Sequence, residues 1–216
     1  MVRKRILIVD DHPILRKGLA MVINLEPDLE VVGEAPDAQN VLELIATLTP
    51  DLVMVDLSLP GVDGIELIKS IKLAYRDLPA LVVSMHDESL FAERALRAGA
   101  RGYIMKQEAV ENVLVAIRRV LQGGIFVSDR VTTKMLETLI SSDGKSPSSP
   151  LDLLSNRELT VFRLIGQGFK TSQIADKLHL SVKTIESYRS HIKEKLKIDT
   201  GTDLMKYAIQ WVQNGT

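Results

Sequence analysis

Arg5-Ile6-Leu7-Ile8-Val9-Asp10-Asp11 decides the fold: after one cation, four apolar residues run unbroken and stop abruptly on two carboxylates. A short apolar run without polar alternation reads as a strand covered on both faces, as in parallel sheets flanked by helices. Working outward, similar runs recur at 29–34, 52–57, 80–84 and 102–105, so strands are expected there and at 5–10. The intervals carry a helical period instead. Leu15, Leu19, Val22 and Ile23 share one face, as do Val41, Leu44, Ile45 and Leu48, and likewise Val110, Val113, Leu114, Ile117 and Leu121. This alternation predicts an α/β domain over 1–124, a doubly wound five-stranded parallel sheet, for which the common order 2-1-3-4-5 is taken.

Past that domain a helix is expected over about 129–140, followed by Ser141-Ser142-Asp143-Gly144-Lys145-Ser146-Pro147-Ser148-Ser149-Pro150. The serine-rich stretch has almost nothing to bury, so 125–150 reads as a helix and a flexible linker. Strand signals then cease. A separate all-α domain is expected over 151–216, with helices near 156–166, 171–178, 182–195 and 202–213.

Composition narrows the possible functions. Cysteine is absent, which excludes disulfides, thiolate metal sites and cysteine nucleophiles. No apolar run approaches the roughly 18 to 20 residues of a membrane span. Met1 leads through Arg3, Lys4 and Arg5 straight into the first strand, so neither a signal peptide nor an anchor is expected, and a cytoplasmic location is the simplest reading. The net charge of −1 hides an asymmetry: 14 Lys/Arg face 18 Asp/Glu in 1–128, whereas 11 face 7 in 145–216. A basic second half is the footprint of nucleic-acid binding, although charge of this size also suits an ordinary solvated face.

Asp10, Asp11 and Asp56 fall at the carboxyl ends of strands one and three, neighbours in the assumed order, beside the point where that order reverses and where open sheets bind ligands. Taken singly, each acid could equally be a solvated loop residue. Crowded together, three carboxylates call for a cation, and hard oxygen donors suit Mg²⁺. Ser84 closes strand four and Lys106 follows strand five, which adds a hydroxyl and an ammonium to the same rim. Phosphoryl transfer to a carboxylate needs this set: Asp56 as in-line nucleophile, with charge on the equatorial oxygens neutralised by Mg²⁺ and Lys106. Two other readings use the same residues. Haloacid-dehalogenase-type phosphatases also gather acids, a lysine and Mg²⁺ at strand ends, but carry Asp-x-Asp where this chain has Asp56-Leu57-Ser58. A protein-interaction switch that ignores phosphate would not require Asp10, Asp11, Asp56, Ser84 and Lys106 together.

Four stretches carry a resemblance: Val9-Asp10-Asp11-His12, Val55-Asp56-Leu57-Ser58-Leu59-Pro60-Gly61-Val62-Asp63-Gly64, Val83-Ser84-Met85-His86 and Gly99-Ala100-Arg101-Gly102-Tyr103-Ile104-Met105-Lys106. On these, residues 4–123 resemble the receiver domain of bacterial two-component response regulators, a fold from which the strand order taken above is itself known. The resemblance implies that Asp56 accepts a phosphoryl group from a sensor histidine kinase. It also implies that Asp11, Asp56 and the Ser58 backbone carbonyl ligate Mg²⁺ and that Asp10 acts largely through water. Ser84 and Tyr103 then form a switch pair. A phosphoryl group carrying roughly −1.5 to −2 charges draws the Ser84 hydroxyl inward, and the Tyr103 ring takes the space it leaves. Without the resemblance, Tyr103 reads as a half-buried strand aromatic. Such a chain is not a dedicated enzyme, although it removes its own phosphoryl group. Gln107 departs from the proline usual after the lysine.

In the second half, Ser155 or Asn156 is positioned to cap a helix whose apolar face is Leu159, Val161, Phe162 and Ile165, and Gly166 and Gly168 read as its breakers. A short helix with small Ala175 at a close crossing follows, then the turn His179-Leu180-Ser181-Val182. In the helix 183–197, Ile185, Ile192 and Leu196 turn inward while Arg189, Lys193, Lys195 and Lys197 supply positive charge. The pair fits a DNA-reading helix-turn-helix, with a generic basic hairpin as the alternative.

Leu154-Ser155-x-Arg157-Glu158, Leu164-Ile165-x-x-Gly168, Ile174-Ala175-x-x-Leu178-x-Leu180-Ser181-x-Lys183-Thr184-Ile185 and Lys195-Leu196 give 151–213 a resemblance to the LuxR/FixJ-type helix-turn-helix. The whole chain thus resembles the NarL/FixJ class, which implies a transcription regulator that binds double-stranded DNA and forms a homodimer when phosphorylated. By resemblance and helical position, Glu186, Ser187 and Ser190 are expected to read bases, and Lys170, Ser181, Thr184, Arg189 and Lys193 to meet phosphates. Lys183 is a further DNA contact, and Tyr188 stands where the family usually has His.

Overall fold

The computed structural model describes residues 2–141, 150–178 and 180–214. The chain divides into two compact units, Met1–Asp143 and Gly144–Thr216. Most of the expected tether, 142–149, lies outside the described residues, as does His179 of the expected turn.

In the first unit β1 (Lys4–Val9), β2 (Leu29–Ala35), β3 (Leu52–Val55), β4 (Ala80–Ser84) and β5 (Gly102–Met105) form one parallel sheet in the order β2-β1-β3-β4-β5. The apolar runs of the central strands β1, β3 and β4 are buried because both faces are covered, whereas the edge strand β2 is buried only at Leu29 and Ala35. Ile6, Ile8, Leu52, Met54, Leu81, Val83 and Ile104 pack against α1 (Pro13–Asn24) and α5 (Ala109–Leu121), chiefly on Ile23, Val113 and Ile117. The alternate residues Leu7, Val9, Val53, Val55 and Val82 are buried on the other face, the side of α2 (Val41–Leu48), α3 (Gly64–Ala74) and α4 (Glu88–Ala98). Two of these helices begin where aspartate caps them: Asp63 accepts from the Ile65 N–H and Asp87 from the Ser89 N–H.

Strands β1 and β3 end earlier than expected, at Val9 and Val55. Asp10 and Asp56 therefore stand one step past the strands, where their N–H groups are still held by the Ala35 and Val9 carbonyls at 3.0 and 2.9 Å. This anchors each backbone while the side chain enters the crevice.

Phe126 pairs with the sheet edge, accepting from the Tyr103 N–H at 2.8 Å and donating to the Arg101 carbonyl at 3.0 Å. The helix that follows, α6 (Asp129–Ser141), packs on α4 and ties to it through Lys134 Nζ to the Ser89 carbonyl at 3.1 Å. Residues 125–141 thus belong with the first unit, where the sequence reading groups them with the linker.

The second unit holds α7 (Asn156–Gly166), α8 (Thr171–Leu178), α9 (Val182–Leu196) and α10 (Gly201–Asn214). Ser155 opens α7 with a reciprocal capping box to Glu158. The core gathers Leu159, Phe162, Ile165, Ile174, Ala175, Ile185, Ile192, Leu204 and Ala208, with Phe162 set 5.7 Å from both the Tyr207 and Trp211 rings. Gly166 is not a breaker. It is the last residue of α7, and a Cβ there would sit 2.4 Å from the Ala208 carbonyl oxygen, so it marks the crossing with α10. Gly168, at φ +85°, makes the turn out of the helix. Leu196 is only half-buried.

Candidate functional site

The carboxyl ends of β1, β3 and β5 converge on one buried ion cluster. Lys106 follows β5, is 7% exposed, and donates to Asp56 Oδ2 at 2.7 Å and approaches Asp10 Oδ2 at 2.9 Å. Asp56 is 1% exposed, and its other oxygen accepts from the Ser58 N–H at 3.1 Å. Asp10 Oδ1 accepts from the His12 N–H at 2.7 Å. Gly64 lets the start of α3 close on the Asp56 backbone, since a Cβ there would lie 2.3 Å from the Asp56 carbonyl oxygen.

One ammonium does not balance three carboxylates. Asp10, Asp11, His12 and Asp56 each offer one ligand atom within 4.8 Å of the others. Asp11 Oδ1 is buried and takes no hydrogen bond, although His12 Nδ1 lies 2.6 Å away; the short contact lacks hydrogen-bond direction. An orphaned buried oxygen beside two further carboxylates is the environment a divalent cation completes. The donor set fits one.

Ser84 and Tyr103 flank the cluster. Ser84 is fully buried and its Oγ accepts from the His86 N–H at 3.2 Å. The Tyr103 ring is buried as well, with its hydroxyl donating to the His86 carbonyl at 2.9 Å. Burial pushes the Tyr103 phenol above its ordinary pKa, and the nearby charge of Asp56 adds to that, so it remains a neutral donor. The ring is thus buried where the strand-aromatic reading has it half-buried. His86, which sequence reasoning did not single out, stacks on Phe91 at 4.7 Å and places Nε2 3.0 Å from Ser58 Oγ. Its only sequence signal is its place two residues after Ser84.

In the second unit, Ser181 caps α9 by accepting from the Thr184 N–H at 3.0 Å. Lys170, Ser181, Lys183, Glu186, Ser187 and Ser190 are exposed, while Thr184, Tyr188, Arg189 and Lys193 are half-buried. Arg189 Nε lies 3.8 Å from Glu186 Oε2, and its side chain is only 18% exposed. Lys195 is not a free charge: it bonds the buried Glu158 at 2.6 Å. Burial opposes the Glu158 charge, but bonds from Lys195 and the Ser155 N–H outweigh it and hold the carboxyl below the usual range. Sequence reasoning saw Glu158 only as part of a helix start, though its place three residues after Ser155 signalled the capping box.

Comparison with known proteins agrees with both halves. Residues 6–118 match the response regulator receiver domain family, and 152–208 match the luxR family of bacterial regulatory proteins. The chain is 33% identical over 210 residues to the oxygen regulatory protein NreC of Staphylococcus carnosus (strain TM300), covering 95% of this chain and 97% of that protein. The response regulator RcsB of Salmonella typhimurium has a similar structure, with TM-score 0.58 and 30% identity over 96% of this chain and 98% of that one. RcsB has also been solved in complex with DNA, and that structure matches with TM-score 0.57 and 30% identity over 95% of this chain and 97% of that one. Among the described residues no helix is long and apolar enough to cross a membrane. A receiver fold whose strand ends gather Asp10, Asp56 and Lys106, joined to a LuxR-type helix-turn-helix, places this chain in the NarL/FixJ class of two-component response regulators, which regulate transcription by binding DNA.

Proposed function

We propose that Asp56 accepts a phosphoryl group from a sensor histidine kinase and that this controls DNA binding by the helix-turn-helix of a homodimer in the cytoplasm. The observation that carries the reading is Asp56 itself, a buried carboxylate with one oxygen on Lys106 and the other on the Ser58 N–H at the mouth of the strand-end crevice. Those two donors orient the carboxylate for in-line attack, in which a new O–P bond forms at Asp56 and the donor's P–N bond breaks. Lys106 then faces the charge that develops on the transferred group. Asp10, Asp11, Asp56 and the Ser58 carbonyl are the groups that would hold Mg²⁺, which when bound neutralises phosphoryl oxygens. Water attack on the phospho-Asp56 reverses the state, so the chain is its own slow phosphatase and not a dedicated enzyme.

RcsB in complex with DNA supports DNA binding by the second unit; as the second helix of the helix-turn-helix, α9 is the one assigned to the groove, with Glu186, Ser187 and Ser190 toward bases. The test is acetyl phosphate labelling. Wild type takes up one phosphoryl group only with Mg²⁺, and Asp56→Asn takes up none. Labelling of Asp56→Ala at an unchanged rate overturns the assignment, and steady phosphomonoester hydrolysis without stable label restores the phosphatase reading.

A further inference from the structure

A row of apolar side chains on α1 faces outward. Ile14, Met21 and Leu25 are 89%, 69% and 73% exposed, and with Gly18 they are spaced by four, three and four residues, which sets them on one side of the helix. Leu25, the C-cap, keeps helical geometry at φ −73° and ψ −19°, so the row runs the whole length of the element. Single exposed apolar residues are ordinary, but an ordered row of them marks a surface that meets another.

Gly18 interrupts the row. After proline, glycine is the poorest helix former, yet it stands here in mid-helix. Its φ is not positive, and no packing neighbour lies within 4 Å of where its Cβ would be, so nothing among the described residues requires glycine at this position. The missing side chain leaves a notch between Ile14 and Met21.

The row is complementary to itself, because a spacing of four, three and four reads the same from either end. An antiparallel copy of α1 therefore matches it position for position: Ile14 meets Leu25 of the second copy, and Met21 enters the notch over Gly18. Each contact occurs twice, as an isologous two-fold pair requires. Charge does not oppose this pairing. Of the two cations on α1, Arg16 is turned aside to Glu34 at 3.1 Å, and Lys17 flanks the row. In this register the two flanking lysines are offset by about 7–8 Å along the helices. A helix of another protein would need only an apolar groove, whereas a row with a hole opposite each knob is matched to its own copy.

We propose that this face of α1 is the contact through which two copies of the chain pair, antiparallel, with Met21 of each seated over Gly18 of the other. The proposal rests on the homodimer reading above and names a surface for it. One helix face falls short of the roughly 800 Å² per partner of a standard interface, so the pair is weak by itself and depends on concentration.

The experiment uses the full-length protein with Mg²⁺ and beryllofluoride, a stand-in for the phosphoryl group. In sedimentation, wild type pairs and Gly18→Lys pairs about tenfold or more weakly. Gly18→Ala raises the melting temperature yet weakens pairing, which a glycine that mattered only to the helix would not do. The chain has no cysteine, so Ile14→Cys and Leu25→Cys each introduce a single thiol. Mixed and oxidised, the two variants cross-link. Either one alone does not, because like positions then lie about 16 Å apart along the helices, beyond the reach of a disulfide. This cross-link decides the matter if Gly18→Lys fails to fold. Undiminished pairing of Gly18→Lys, or cross-linking as fast in either cysteine variant alone, overturns the α1 contact while the homodimer reading stands. So does a Gly18→Lys that pairs normally and takes label from acetyl phosphate but not from a histidine kinase, since the face would then belong to the kinase. Wild type that stays monomeric at every concentration overturns both.

Discussion

Lys106 compensates two buried carboxylates at once, which makes its removal severe. Lys106→Ala would leave Asp10 and Asp56 facing each other without a cation, at a cost of about 3–5 kcal/mol in urea unfolding of the ion-free protein. A divalent ion should recover much of that loss, and Asp56→Asn should move ion-free stability upward because it removes one of the paired like charges. Equal destabilisation of Lys106→Ala with and without the ion would mean the cluster does not share charge in this way. Glu158 makes a pH prediction. Its pKa is lowered in the folded protein, so its stabilisation is complete above the unfolded carboxylate range and is lost as pH falls through the folded value. Thermal unfolding followed at Trp211, the chain's one tryptophan, should show the second unit weakening with acid, and Glu158→Gln should flatten that dependence. At this scale the sequence was legible where residue type and strand end coincide, as at Asp56, Ser84 and Lys106. His86 was not, because its contact with Ser58 spans 28 positions and depends on how two loops lean together.

Elements were legible where local chemistry marks their limits. Ser155, one of the two candidates, caps α7, and Ser181 caps α9, while Asp63 and Asp87 cap α3 and α4 without having been marked in the sequence reading. Gly166 was misread because a glycine that ends a helix and one that admits another helix look alike in one sequence; only α10 distinguishes them. Gly166→Val should cost roughly 1–3 kcal/mol or more from the clash with Ala208, and Gly168→Ala about 1 kcal/mol from strain at positive φ, both read by chemical unfolding. On α9, Glu186 is 58% exposed and its 3.8 Å approach to Arg189 is loose, which leaves its carboxylate available to a cytosine amino group. Glu186→Ala should relax preference at one base pair by about 1–3 kcal/mol, whereas Lys193→Ala should weaken all sequences alike and lower the salt slope by about one. Binding selection on randomised duplexes checks both; an unchanged preference in Glu186→Ala moves base reading to Ser187 and Ser190.

Across the whole molecule, charge constrains how phosphorylation can strengthen DNA binding. The segment 1–128 already carries four more acids than bases, and a phosphoryl group adds roughly −1.5 to −2 charges to it. Brought near DNA, that half is repelled, so the added charge by itself lowers affinity for any duplex. The gain must come from elsewhere, and a second copy supplies it. Two basic units on one dimer engage two half-sites about one helical turn apart, and the second contact is then effectively intramolecular. Phosphorylation should therefore raise affinity for a duplex with two properly spaced half-sites by about a hundredfold, yet leave affinity for a single half-site unchanged or slightly reduced. Shifting the half-sites by about five base pairs should abolish the gain, because it turns the second site to the opposite face of the helix. Fluorescence anisotropy with the three duplexes, at two salt concentrations, measures this directly. An equal gain on the single half-site would show instead that phosphorylation frees the DNA-binding unit within one chain, and pairing would then not be the source of affinity.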